Sequence, residues 1–274
     1  MGLLNFNFCA ISGLPRSGST LIAGIFNQHP DVHIEGTSGL GNLIGDTTKV
    51  IFDESSTAGL FLKANQRADY TNQKIVPAIM NGFYEDVDKP VVIDKSRAWH
   101  CPVLLNNVDK TIGDMINVLI LVRPVEEIVK SFASVVAKEH RTDDFYNNLL
   151  TQSAPIKDCF YDVIKTVNSK RPNILVKSYS DLVDSPVTTI DEIRVFFGLP
   201  PFEYSFFNLS QYLPEDDSVY GAYKNLHSLR NGVSRKKINF EIPVWAHQKA
   251  VEMSNALYQF TDIGSEGNER GAFC

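Results

Sequence analysis

Cysteine is scarce in this chain. The four thiols (Cys9, Cys101, Cys159 and Cys274) stand far apart in 274 residues, with no CxxC pair and no Cys/His cluster. That spacing fits reduced, mostly structural thiols better than a disulfide framework or a zinc site. A basic surplus is also missing: 26 Lys and Arg against 32 Asp and Glu leave a formal charge of −6. A general nucleic-acid binder needs the opposite balance, so no nucleic-acid partner is expected. No apolar run approaches the roughly 18 residues of a membrane span. The first eight residues lack the basic and apolar regions of a signal peptide. These absences predict a soluble, cytoplasmic protein with no membrane partner. With neither a repeat nor a linker in view, residues 1–274 are expected to form one domain, and 43% hydrophobic residues supply its core.

Short apolar runs alternate with helical periodicity. Phe6–Ile11, Asp31–Ile34, Pro90–Ile93, Ile116–Val122 and Asn173–Val176 read as strands, and the fourth is rich enough in β-branched residues and leucine to be covered on both faces. Helices are expected over Ser19–Asn27, Ser56–Ala68, Asn72–Val87, Val125–Lys138, Pro186–Phe197 and Val244–Phe260, with Pro124 at a first helical position. The four glycines in Gly36–Gly45 predict a loop. Strand–helix alternation predicts an α/β fold, a central parallel sheet with helices on both faces.

Gly13-Leu14-Pro15-Arg16-Ser17-Gly18-Ser19-Thr20 lies between the first strand and the first helix. There the backbone N–H groups and a helix N-terminus can converge on an anion. The spacing is that of a P-loop, but Ser19 stands where a Walker A loop has its lysine, and the cation is Arg16, inside the loop. Without that lysine, triphosphate hydrolysis is disfavoured. A turn that merely caps the helix is the alternative.

The run Pro15-Arg16-Ser17-Gly18-Ser19-Thr20 resembles the 5′-phosphosulfate loop of sulfotransferases that use 3′-phosphoadenosine 5′-phosphosulfate (PAPS). A second motif supports the resemblance: the fourth strand ends in Arg123, and Ser131 follows eight residues later, as in the family's 3′-phosphate site. A third, Ile174–Val183 followed by Pro186 and a helix ending Phe197-Gly198-Leu199-Pro200, is similar to the family's strand–Tyr–acidic–Leu segment, in which Tyr179 would lie near the adenine or serve simply as a core aromatic. The spaced motifs run from Phe6 to Pro201 and are closer to the tyrosylprotein and bacterial branch than to the cytosolic one.

The resemblance implies a P-loop-like sulfotransferase fold and sulfuryl transfer to a hydroxyl, with PAPS as donor, 3′-phosphoadenosine 5′-phosphate (PAP) as product and no required metal. It implies that Arg16, Ser17, Gly18, Ser19, Thr20, Arg123, Ser131 and Tyr179 bind the nucleotide. Lys95, at the third strand's end, and Arg16 would stabilise the leaving phosphate. Glu35, just beyond the second strand, is the expected general base and His100 its rival. The basic run from Leu226 to Lys237 matches the family's late basic loop loosely; Ser234 and Arg235 would approach the 3′-phosphate, or the run is a solvated charge cluster. The acceptor is expected to be a small-molecule or carrier-bound hydroxyl, with Phe61, Tyr70, Phe83 and Tyr84 among the aromatics on that side. A catalytically inactive nucleotide-binding module and a P-loop kinase are the competing readings.

Overall fold

The computed structural model describes residues 3–152, 155–221, 225–235, 238 and 240–261. Five strands, β1 (Asn7–Gly13), β2 (Val32–Thr37), β3 (Val91–Lys95), β4 (Asn117–Val122) and β5 (Ile174–Ser178), form one parallel sheet in the order β2-β3-β1-β4-β5. Each predicted strand exists, but most begin and end later in the sequence than their apolar runs. Polar residues such as Ser12, Asp94 and Lys95 complete the strands because ladder pairing, not hydrophobicity, fixes their ends.

Strand alternation divides the core. Phe8, Ala10, Val118, Ile120 and Val122 face one layer, while Cys9, Ile11, Leu119 and Leu121 face the other. The first layer is covered by α2 (Leu40–Phe52), α4 (Ala68–Phe83), α5 (Pro102–Ile112), α6 (Val125–Ala133), α8 (Lys157–Asn168) and α11 (Val244–Thr261). The second is covered by α1 (Ser19–Phe26) and α10 (Pro186–Phe196). Shorter helices α3 (Thr57–Ala64), α7 (Asp143–Leu150) and α9 (Tyr179–Asp184) complete the chain.

Three expectations are corrected. Most of the predicted Gly36–Gly45 loop is the start of α2: Gly41 is buried against Ala98, where a Cβ would lie 2.7 Å from the alanine methyl, so this glycine permits close packing and does not break the helix. Helix α6 stops at Ala133, not Lys138, and Pro124 caps it from outside with extended ψ. Helices α5, α7 and α8 had no counterpart in the periodicity, since their buried stripes hold only three or four residues each.

β1 is central, and the chain leaves it toward β2 but returns past it from β3 to β4. Ligands bind at such a switch point, beyond the carboxyl ends of the strands. Gly13, Thr37, Lys95, Arg123 and Tyr179 mark those five ends.

Candidate active site

A cavity of about 290 Å³ opens at this switch point, lined by the loop from Gly13 to Thr20 together with Thr37, Lys95, Arg123, Tyr179 and residues 226–230. The loop's turn needs unusual backbone. Gly13 has φ +127°, and a Cβ there would lie 2.1 Å from the Leu121 carbonyl oxygen. Arg16 itself adopts φ +61°, rare for a residue with a side chain. No side chain caps α1 at Gly18, so its first N–H groups remain available to an anion at the cavity's edge.

The two sequence motifs meet. Arg16 Nε donates to Ser131 Oγ at 3.1 Å, and Arg123 donates from a terminal guanidinium nitrogen to the Arg16 carbonyl at 3.0 Å. Arg123 also lies over the Tyr179 ring, 4.1 Å from its centroid, and pairs with Glu127 at 2.9 Å. Tyr179 opens α9, whose capping box (Ser178 with Asp181) fixes where the tyrosine leaves the sheet. Burial, with Arg123 and Arg230 nearby, lowers the Arg16 guanidinium to about 10, against the opposing influence of Asp217 and Tyr179. Cations packed this closely favour a polyanionic guest.

Lys95 is 3% exposed, and its Nζ lies 2.8 Å from Glu215 Oε1 and 3.5 Å from Thr20 Oγ1. Burial lowers its pKa and Glu215 partly restores it. Burial pushes Glu215 up, but Lys95 above all, with His227 and the Thr37 N–H, brings its net value below the ordinary carboxylate range. Thr37 donates to Glu215 Oε1 through both its N–H (2.7 Å) and its hydroxyl (3.0 Å). Beneath Lys95, Asp94 accepts hydrogen bonds from Ser38, Tyr84 and Trp99, which locks the end of β3. Burial raises the Asp94 pKa against these three donors.

Other expected site residues sit differently. Gly18, Ser19 and Thr20 line the cavity, whereas the buried Ser17 hydroxyl donates to the Leu14 carbonyl at 2.6 Å and holds the loop together. Glu35 lies within β2, not beyond it, and its carboxylate meets His33 Nε2 at 2.8 Å on the Tyr84 side of the sheet. Regular alternation would place Glu35 on the face of Thr37, but the pairing register breaks between Ile34 and Thr37, and only Thr37 borders the cavity. His100 is buried against Ser12 Oγ at 3.0 Å, outside the lining, and burial lowers its pKa to about 4.

Among the described residues of the late basic run, Arg230 is the cation at the cavity. It donates to the Tyr179 hydroxyl at 2.8 Å and to the Ser234 carbonyl at 3.1 Å. Ser234 thus supports Arg230, and Arg235 turns away to Asp184 at 2.5 Å. Lys236 and Lys237 lie outside the described residues. Of the acceptor-side aromatics, Tyr84 is buried on Asp94, and Phe61, Tyr70 and Phe83 are exposed on the outer helices, away from the cavity. Sequence reading missed Glu215, Asp217, His227 and Arg230 as individual site residues. His227 and Arg230 fall within the basic run from Leu226 to Lys237 that charge density marked, whereas nothing marked Glu215 and Asp217, which stand before it in an irregular segment without periodicity.

Among the described residues no His, Cys, Asp and Glu group is arranged to hold a metal ion, and no helix is long and apolar enough to cross a membrane.

No curated relative matches the sequence. Solved structures do. The sulfotransferase domain of the Synechococcus PCC 7002 olefin synthase is similar at 18% identity and TM-score 0.55, covering 93% of this chain and 95% of that one. The sulfotransferase from Alicyclobacillus acidocaldarius is similar at 13% identity and TM-score 0.53, with 93% and 96% covered. Retinol dehydratase in complex with androsterone and the inactive cofactor PAP is similar at 16% identity and TM-score 0.51, with 93% and 82% covered. The sulfotransferase family profile matches residues 9–204, from β1 past α10, and this chain belongs to the sulfotransferase family.

Proposed function

We propose that the chain transfers a sulfuryl group from PAPS to an acceptor hydroxyl by in-line displacement, releasing PAP. The observation that supports this most is the convergence of Arg16, Lys95, Arg123 and Arg230 on one cavity whose glycine loop has no Walker lysine. A nucleotide bisphosphate suits that donor set, which offers several cations and the Tyr179 ring to one ligand. PAPS, when bound, supplies the sulfuryl group on a phosphate leaving group.

The chain's own residues then have distinct tasks. The N–H groups at the start of α1 and the Arg16 guanidinium hold the 5′-phosphate. Arg123, with Ser131 and Arg230, holds the 3′-phosphate, and Tyr179 borders the adenine. Lys95 and Arg16 stabilise the negative charge that grows on the departing phosphate. Lys95 is held for this by Glu215 beside it. Sulfuryl transfer places less charge on the moving group than triphosphate chemistry does, so cations of the protein can serve without magnesium.

A small-molecule or carrier-bound hydroxyl is the acceptor class we favour. The similar domains of an olefin synthase and of the curacin biosynthetic pathway support it, as does the androsterone complex of retinol dehydratase.

Calorimetric titration with PAP in the absence of magnesium tests the reading. Tight binding that Arg123→Ala weakens at least tenfold, about 1.4 kcal/mol, is expected. Failure to bind PAP refutes the proposal, and tight magnesium-ATP binding in its place would favour a P-loop kinase.

A further inference from the structure

We propose that Glu215 sets the donor specificity of this site, admitting a terminal group of low charge beside Lys95 and disfavouring a phosphoryl group of the same shape. The assignment rests on the sulfuryl-transfer reading and adds a residue that discriminates between donors. The charges around the cavity are sorted. Arg16 has Arg123 and Arg230 as like-charged neighbours, and the three are tied together through Ser131, the Arg16 carbonyl and Tyr179. Lys95 stands among carboxyl groups instead: Glu215 at 2.8 Å, with Asp217 and Asp94 farther off. Asp217 acts on Arg16 as well. One part of the cavity is therefore strongly cationic, and the other surrounds its lysine with acid.

Glu215 is built into this second part. Its Oε1 accepts from Lys95 Nζ at 2.8 Å, from the Thr37 N–H at 2.7 Å and from the Thr37 hydroxyl at 3.0 Å. Gly36 leaves room for the side chain, since a Cβ there would lie 2.6 Å from Glu215 Cγ. Burial raises the carboxyl pKa, but Lys95, His227 and the Thr37 N–H bring it below the ordinary range, so Glu215 is charged at pH 8. Its Oε2 lies 3.1 Å from His227 Nδ1. Burial lowers the pKa of that ring below the ordinary histidine value, so at pH 8 it brings no compensating charge.

The consequence follows from sharing one ammonium group. Any oxygen that bonds Lys95 Nζ lies within two hydrogen-bond lengths, about 6 Å, of Glu215 Oε1. Lys95 borders the cavity and, on the sulfuryl-transfer reading, meets the leaving phosphate, so the transferred group falls in the field of that carboxylate. A sulfuryl group there carries about one negative charge, and a phosphoryl group carries about two at pH 8. Lys95 attracts the extra charge and Glu215 repels it, so the pair withholds the reward that a bare lysine would give. At a separation of about 6 Å inside a protein, one such repulsion is enough to change binding about tenfold or more.

Competition calorimetry against PAP tests this with the full chain at pH 8, without magnesium or an acceptor. It compares PAPS with 3′-phosphoadenosine 5′-diphosphate, in which a phosphoryl group replaces the sulfuryl. The wild type is expected to bind the diphosphate no more tightly than PAPS, despite its greater charge. Glu215→Gln keeps the shape of the side chain and should raise the affinity for the diphosphate, relative to PAPS, about tenfold or more. Damage to the fold weakens two ligands of one shape alike and leaves that ratio in place. A ratio within about threefold of the wild type's in Glu215→Gln overturns the inference. So does a wild type that prefers the diphosphate, a comparison that stands whether or not the variant folds. Absence of PAP binding in the wild type would instead refute the sulfuryl-transfer reading itself.

Discussion

Replacing Glu215 by glutamine tests the architecture of the cavity. The side chains of Lys95 and Glu215 are 4% and 9% exposed, so the pair is a buried one. Glutamine has nearly the same shape, and its amide oxygen can keep both hydrogen bonds from Thr37. What changes is charge: Lys95 loses the nearest carboxylate while still buried, with Asp217 and Asp94 as its more distant compensation. Removing one partner of a buried pair costs about 3–5 kcal/mol, and the retained Thr37 bonds place this variant near about 3 kcal/mol. In a domain of this size that corresponds to a fall in Tm of about 6–12 °C.

Two further measurements separate this cause from general damage. Burial already lowers the Lys95 pKa, and the variant lowers it further, so an unfolded chain binds the extra proton and stability rises with pH. The gap between variant and wild type should therefore narrow from pH 7 toward pH 10. In a cycle with Lys95→Met, the double variant should recover about 2 kcal/mol relative to additivity. Chemical denaturation followed by tryptophan fluorescence reads both. A loss below about 1 kcal/mol, the value of an exposed pair, would refute the reasoning, as would additivity in the cycle.

Gly13→Ala should destabilise the fold by at least about 3 kcal/mol, because its Cβ would meet the Leu121 backbone at 2.1 Å and the φ of +127° is strained for alanine; denaturant midpoints check this. His100, buried neutral with its pKa lowered to about 4, gives an acid signature. The unfolded chain takes up its proton first, so stability is full above about pH 6.5, falls by about 3 kcal/mol toward pH 4 and then levels, and His100→Gln should remove that slope.

The parts of this molecule that were legible in its sequence are those built from consecutive residues. Strand β4 announces itself in seven residues, and the turn from β1 into α1 is written in Gly13–Thr20. Arg123 and Ser131 stand eight residues apart around the start of α6, and both meet Arg16 of the loop. Glu35 shows where this ends. Its position next to β2 was readable, but the break in register between Ile34 and Thr37, which separates Thr37 at the cavity from Glu35 on the side of His33, is set by pairing with a strand more than fifty residues away. Likewise Glu215 reaches Lys95 across 120 residues of sequence, from a segment with neither helical nor strand period.

Net charge illustrates the same limit from the other side. A total of −6 argues against a general nucleic-acid binder, and four cations nonetheless converge on one cavity. The two facts agree because two of these cations are paired: Lys95 with Glu215 and Arg123 with Glu127. Each carboxylate lowers the cost of holding a buried cation before an anion arrives. A phosphate that enters must then share cations already engaged, which limits binding by unselected anions and favours a ligand that meets several at once. Two phosphates on one nucleotide satisfy that condition, whereas a single inorganic phosphate reaches only one end of the cluster. Inorganic phosphate should therefore bind far more weakly than PAP, by more than the loss of one phosphate contact, and competition calorimetry would show it; equal per-phosphate affinity would mean that the cations act independently.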